Sequence, residues 1–287
     1  MKNNTLRRNL MGGGGKSSLG NQAGDIVYKA NGEFKTISYK KWDASLGTPV
    51  GVVVVPEGFA PDGRTRMISL LYPNATGNTV QQYEWSTSSI NTSVPNTDRV
   101  PITTNADPDT ISSRAQGYLP SDKFTGPTSY IDPIAKYVDS SVYKIPSPYL
   151  GDKPNSIYYS EISGYVNALS DFNGKTNTDT LVALGSDYVA AKTARIYQVA
   201  GAEEIEWYLP AAGELGYMIV RAAELNNALK KVNGAQISLN SSTTGTYYWS
   251  STEYNMYYVY AIDLRGYVYN YVTKTIYGYV RPFALLP

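Results

Sequence analysis

The stretch TYYWSSTEYNMYYVYAIDLRGYVYNYVTKTIYGYVRPFALLP, residues 246–287, decides how the rest of the chain is read. Eleven of the protein's 27 tyrosines lie in it, at positions 247, 248, 254, 257, 258, 260, 267, 269, 271, 277 and 279. Side chains alternate across a β-strand, so in the run Tyr267 to Val272 the residues Tyr267, Tyr269 and Tyr271 share one face, and Val268 and Val272 share the other. The valines suit a core, which turns the tyrosines outward. In the preceding segment Tyr258, Tyr260, Ile262 and Leu264 fall on one side, with Tyr257, Val259, Ala261 and Asp263 on the other, and both sides are partly apolar. Asp263 to Gly266 reads as the hairpin turn between two strands, and Val280 to Phe283 as a closing strand.

A row of outward tyrosines implies a contact surface. Exposed aromatic patches mark interaction sites. Tyrosine suits recognition because it brings a large, stiff ring and one hydroxyl at a cost of only two side-chain torsions.

Composition narrows the chemistry. The 287 residues, 42% of them hydrophobic, suffice for a sizeable core in one large domain or two. A net charge of +1 with scattered lysines and arginines gives no footprint for nucleic acid or an anionic membrane. With no cysteine there is no disulfide, thiol nucleophile or thiolate metal site, and with no histidine there is no imidazole base and no commonest metal ligand. Arg7-Arg8 is not followed by an apolar run of secretory type, and no apolar run approaches the roughly 18 residues of a membrane span.

Residues 1–24 are polar and glycine-rich and read as a flexible arm. Gly12 to Ser18 looks like a phosphate loop only superficially, since Leu10 stands where that spacing needs glycine. Asp25 to Trp42 alternates about Asn31-Gly32 as a small β-hairpin. Val50 to Val55 reads as a buried strand with Met67 to Leu71 as partner, after a turn at Pro61 to Arg64. Asn74 to Pro154 is a long excursion rich in Pro, Ser, Thr, Asn and Gly. Helical signals follow at Glu161 to Ser170, closed by Asp171 to Gly174, and from an N-cap at Thr178 through Val199. Glu204 to Leu209 reads as a strand. A long helix after Pro210 carries Leu215, Met218, Ile219, Ala222, Leu225, Leu229 and Val232 on one stripe and stops at Asn233-Gly234.

Three landmarks stand in order: Trp207 to Leu215 (WYLPAAGEL), Trp249 to Tyr254 (WSSTEY) and Val280 to Phe283 (VRPF). As a set they resemble the landmarks of C-type-lectin-fold proteins, in particular the variable proteins of diversity-generating retroelements and the receptor-binding tail proteins of phages that infect Bacteroides-like gut bacteria. The fold implied is α+β and C-type lectin-like, similar also to formylglycine-generating enzyme. It implies an arm and hairpin at residues 1–46 that anchor to a virion, and a ligand-binding domain at 47–287 with an insertion at 74–154. Such proteins vary the sheet between the last two landmarks, at positions that become Asn, Tyr, Ser, Thr or Asp. The resemblance therefore implies a binding surface of Asn255, Tyr257, Tyr258, Tyr267, Tyr269, Asn270, Tyr271, Thr273, Thr275 and Tyr277, with Tyr260, Ile262, Val268 and Val280 as scaffold. The active-site cysteines of formylglycine-generating enzyme are missing, as are the EPN or QPD and WND motifs of calcium-dependent lectins. Neither that activity nor a resident metal or cofactor carries over.

The expected function is recognition of a bacterial surface protein or glycan by a phage tail protein. The N-terminal part would dock on other tail proteins, copies of the chain would form a homo-oligomer, a trimer by the resemblance, and no nucleic acid or membrane insertion would be involved. Two alternatives stay open at this point. One is a carboxylate-dependent glycosidase or depolymerase using acids among Glu203, Glu204, Glu206 and Glu214, whose pair must face one cleft about 5–10 Å apart. The other is a purely structural virion protein.

Overall fold

The computed structural model describes residues 22–57, 60, 62–74, 80–87, 171–237, 247–253, 257–263 and 268–287; the side chains of residues 219, 220, 262, 263 and 268–271 lie outside that description. Of the excursion expected at 74–154, residues 74 and 80–87 are described and include a short strand and the buried Trp85; its remainder, the helix expected at 161–170 and turn residues 264–266 fall outside the described residues.

The hairpin is present as β1 (Asp25–Ala30) and β2 (Glu33–Ser38). Asn31 and Gly32 both take positive φ, 53° and 81°, the pair of left-handed residues that a two-residue hairpin loop needs. β1 also pairs antiparallel with β3 (Thr48–Val55), so the hairpin is hydrogen-bonded into the sheet built by the following residues. The division expected at residue 46 therefore does not set the hairpin apart from that sheet. β3 pairs with β4 (Arg66–Ser69), β4 with β11 (Phe283–Leu285), and β11 with β6 (Trp207–Tyr208). The resulting six-stranded sheet runs β2-β1-β3-β4-β11-β6. The closing strand sits later than expected, at 283–285 instead of 280–283. Pro282 has no N–H to give a ladder, so pairing starts at Phe283.

Alternation decides what each face of this sheet touches. Ile26, Val52, Ile68, Tyr208 and Phe283 point into one core with the helices α3 (Ala212–Val220) and α4 (Ala222–Lys231). Val27, Val53, Met67, Trp207 and Ala284, one residue along in each strand, pack with Ala202, Ile205 and Tyr197 on the other face. Burial on both faces explains the continuous valine run of β3, each valine contributing on the order of 1.5–3 kcal/mol.

The helix expected from Thr178 to Val199 is two helices, α1 (Gly174–Leu184) and α2 (Val189–Arg195). Gly185 takes φ 136°, where only glycine is comfortable, and breaks the run. Thr178 is no cap: inside α1, its hydroxyl accepts from the Leu209 N–H at 2.9 Å and faces the Leu209 carbonyl at 3.2 Å, tying α1 to the landmark after β6. Asp171 to Asn173 lead directly into α1, with Asn173 at its N-cap position. The single helix expected after Pro210 likewise divides, at Arg221 (φ −106°, ψ 8°). Its stop is as read: Asn233 has φ 53°, and the Gly234 N–H reaches back to the Leu229 carbonyl at 2.8 Å, a Schellman ending. The strand expected at Glu204 to Leu209 shrinks to two residues.

β7 (Tyr247–Glu253), β8 (Tyr258–Asp263) and β9 (Val268–Thr273) form a second, antiparallel sheet, and β10 (Tyr277–Gly278) pairs with β5 (Tyr83–Glu84). A bridge from Tyr248 to Tyr279 sets the β10 end against the free side of β7. Among the described residues no helix is long and apolar enough to cross a membrane. The whole is an α+β arrangement with antiparallel sheets.

Candidate functional site

The three landmarks turn out to be joints of the scaffold. The first turn of α3 exposes backbone N–H groups that need acceptors. Ala211 N–H finds the Glu214 carboxylate at 2.8 Å, Ala212 N–H the Thr252 hydroxyl at 2.9 Å, and Gly213 N–H the Asp171 carbonyl at 3.0 Å. Thr252 then donates to the Asp171 carboxylate at 2.7 Å, and Ser251 N–H donates to the Pro210 carbonyl. Thus the first landmark is capped by the second. In the third, Arg281 is fully buried, donates to the carbonyls of Ser69 (2.7 Å) and Ala235 (2.9 Å), and lies 4.6 Å from the Tyr72 ring centre.

Burial raises the Asp171 carboxyl to about 6, against the pull of the Asn173 N–H, the Thr252 hydroxyl and the Asn177 amide. A carboxyl whose folded pKa lies above its unfolded value adds stability that is complete below the unfolded pKa and is lost as pH rises through the folded one. From 3.8 to about 6 is roughly two units, or about 3 kcal/mol. Urea unfolding should therefore show stability falling between about pH 4 and 7, and Asp171→Asn should flatten that slope. An unchanged slope in the variant would refute the assignment.

Burial also raises the Glu214 carboxyl, and the Arg66 guanidinium at 2.9 Å, the Ala211 N–H and the Tyr208 hydroxyl at 3.0 Å draw it back. Four groups meet there with Glu214 as acceptor to the other three, so the site is built for the carboxylate form. Of the other acids considered for catalysis, Glu203 caps the Gly201 N–H, Glu204 pairs with Lys29, and Glu206 pairs with Lys175 at 3.0 Å. Glu204 and Glu206 border an open pocket of about 180 Å³ with Arg64 and Lys175, below the roughly 300–1,000 Å³ of a small-molecule site. Glu214 is buried outside that lining and shares no cleft with Glu204 and Glu206, whose carboxylates are already paired with Lys29 and Lys175.

The tyrosine-rich segment divides in a way alternation alone does not show. Tyr248 and Tyr260 are fully buried against α3 and α4, while Trp249, Val259, Ala261 and Val272 pack with α1 and α2. Both faces of the β7–β8 region are core, and its exposed rings stand at strand ends. Tyr257 is 44% exposed and Tyr277 58%, and they are the exposed tyrosines among the described side chains. Tyr258, Thr273 and Thr275 are half-buried. These five are brought together where β8 begins, β9 ends and β10 begins. Tyr258 is opposite Thr273, the Tyr257 and Tyr258 rings lie 6.2 Å apart edge to face, and the turn Thr273 to Ile276 is closed by Ile276 N–H to the Thr273 carbonyl. Tyr269, Asn270 and Tyr271 lie on β9, with Tyr269 in register with Ala261. Asn255 and Tyr267 lie outside the described residues. Of the four positions expected as scaffold, Tyr260 and Val280 are fully buried, and the side chains of Ile262 and Val268 lie outside the description.

Beneath this corner lie residues that sequence reading missed. Lys274 and Glu253 form a buried ion pair, with the Lys274 ammonium 4.9 Å from the Trp85 ring centre. The Trp85 indole donates to the Ser250 carbonyl at 2.8 Å, and that of Trp249 to the Tyr83 carbonyl at 2.7 Å. No spacing rule links a lysine at 274 to a tryptophan at 85. Among the described residues, the corner places the rings of Tyr257 and Tyr277 at the surface.

No family model matches the sequence, and neither does any curated protein. Among solved structures the chain is similar to a fimbrial protein from Bacteroides ovatus, with a TM-score of 0.50 and 16% sequence identity over 92% of this chain. The chain spans 49% of that protein, about half its length. At that identity the likeness is one of fold.

Proposed function

We propose that this chain is a surface-displayed binding protein that acts without chemistry, holding its partner at the corner formed by Tyr257, Tyr258, Thr273, Thr275 and Tyr277. The observation that carries the reading is the exposure of Tyr257, just before β8, and Tyr277, just after the turn Thr273 to Ile276, in a protein whose other described tyrosines are buried or half-buried. The fold likeness to a fimbrial protein supports display on an extracellular surface. In its finer form the reading is a C-type-lectin-like receptor-binding protein of a phage tail, with a diversified surface that takes in Asn255, Tyr267, Tyr269, Asn270 and Tyr271 as well. Residues 1–46 would dock it on other tail proteins and three copies would assemble. The order of the three landmarks and the tyrosine, asparagine and threonine content of the surface support that form.

The test is the double variant Tyr257→Ala/Tyr277→Ala, measured for binding of the purified protein to Bacteroides-type cells. Aromatic hot spots cost about 2 kcal/mol or more on truncation, so binding should weaken at least about 30-fold. The melting temperature should hardly move, because both rings are exposed. Undiminished cell binding would end this reading.

A further inference from the structure

Residues in tight turns ordinarily point to water. Lys274, the second residue of the turn Thr273 to Ile276, is instead 0% exposed, and its side chain runs inward to Glu253 at the end of β7, itself 2% exposed. Its backbone is committed as well. The Lys274 N–H donates to the Tyr257 carbonyl at 3.3 Å, and its carbonyl accepts from both Trp85 N–H (2.9 Å) and Ser86 N–H (3.0 Å). One residue thereby joins four segments: the start of β8, the end of β7, the 83–86 stretch and the β9–β10 turn.

We infer that Lys274 is the positioning residue of the contact corner, its buried pair with Glu253 fixing Tyr257 and the turn that leads to Tyr277 in one arrangement. The physical case rests on what a buried ion pair does. Such a pair adds little net stability compared with apolar residues of the same size, because desolvation offsets the attraction, but it accepts few alternative geometries. An ammonium must stay within reach of its carboxylate and, here, close to the Trp85 ring. A methionine in that space would satisfy packing in several rotamers. Every exposed or half-exposed contact residue described above lies within three positions of Lys274 or is Tyr257 or Tyr258, whose strand start Lys274 holds. A rigid corner loses less conformational entropy when a partner binds. Burial lowers the Lys274 pKa and Glu253 raises it again, consistent with a charge kept in place by its partner.

The inference rests on the contact corner proposed above for its consequence, but its test does not need a partner. The full chain carrying Glu253→Met/Lys274→Met should keep a near-native urea midpoint, since both charges leave together. Amide hydrogen exchange should then be at least tenfold faster at residues 85, 86, 274 and 276, with Val52 and Ile68 in the large sheet unchanged. Should that variant fold poorly, Glu253→Gln, which keeps an acceptor for the ammonium, should accelerate the same four amides alone. Native exchange at those amides, or acceleration spread equally to Val52 and Ile68, overturns the positioning role. If exchange behaves as expected but Tyr257→Ala/Tyr277→Ala leaves cell binding intact, the corner is rigid for another reason and the binding reading fails. If the tyrosine variant loses binding while exchange stays native, the binding reading stands without Lys274.

Discussion

Glu214→Ala should destabilise the fold by about 4 kcal/mol, read as a lowered urea midpoint. Breaking a buried ion pair by removing one partner costs about 3–5 kcal/mol, because the surviving charge stays in a poorly solvated place. Here the surviving Arg66 keeps the Asp62 carboxylate at 2.6 and 2.9 Å, which places that part near the lower end. Loss of the Ala211 cap and of the acceptor for the Tyr208 hydroxyl adds about 1 kcal/mol or more. The close approach of Gly174 shows how little slack there is: a Cβ added there would lie 2.2 Å from the Glu214 carboxylate. Glu214→Gln, with the same shape, should fall between the wild type and alanine. A drop below about 1 kcal/mol for the alanine variant would show that the network is dispensable.

Trp249→Ala should cost a similar amount, about 4 kcal/mol, within the range for deleting a buried aromatic ring. Its ring is fully buried among Val259, Ala261 and Val280, and its indole N–H is a donor to the Tyr83 carbonyl. Gly278 is packed so closely on that ring that a Cβ there would come within 2.7 Å. Removing the ring therefore opens the seam between β7, β10 and β5 that underlies Tyr277. Trp249→Phe keeps most of the packing and loses the hydrogen bond, and should cost about 1–2 kcal/mol. Urea unfolding of the two variants separates packing from hydrogen bonding, and equal losses would contradict this division.

Much of the large sheet was legible because its signals are local. Asn31-Gly32 can form a two-residue hairpin loop, and a valine run bounded by glycine and proline reads as an inner strand. The helix breaks were less legible for different reasons. Gly185 was a visible breaker, but the apolar spacing carries on across it; at Arg221 no glycine or proline marks the division. The tyrosine segment was half legible. Period two separated Tyr260 from Val259, but not which side meets water, because helices cover both. Lys274 was hidden altogether, since its partners lie at 85 and 253 and a turn lysine normally signals a solvated end.

The order of strands along the chain has a consequence for synthesis. β11 fills the slot between β4 and β6, yet it leaves the ribosome after β7 to β10. The large sheet stays split until residue 285 is made, so the corner that displays Tyr257 and Tyr277 is translated while the rest of the scaffold is still in two pieces. A change at that corner that slows docking of the last strand would act on yield of folded chains before it acted on affinity, and the cell's quality control would screen such changes ahead of any partner.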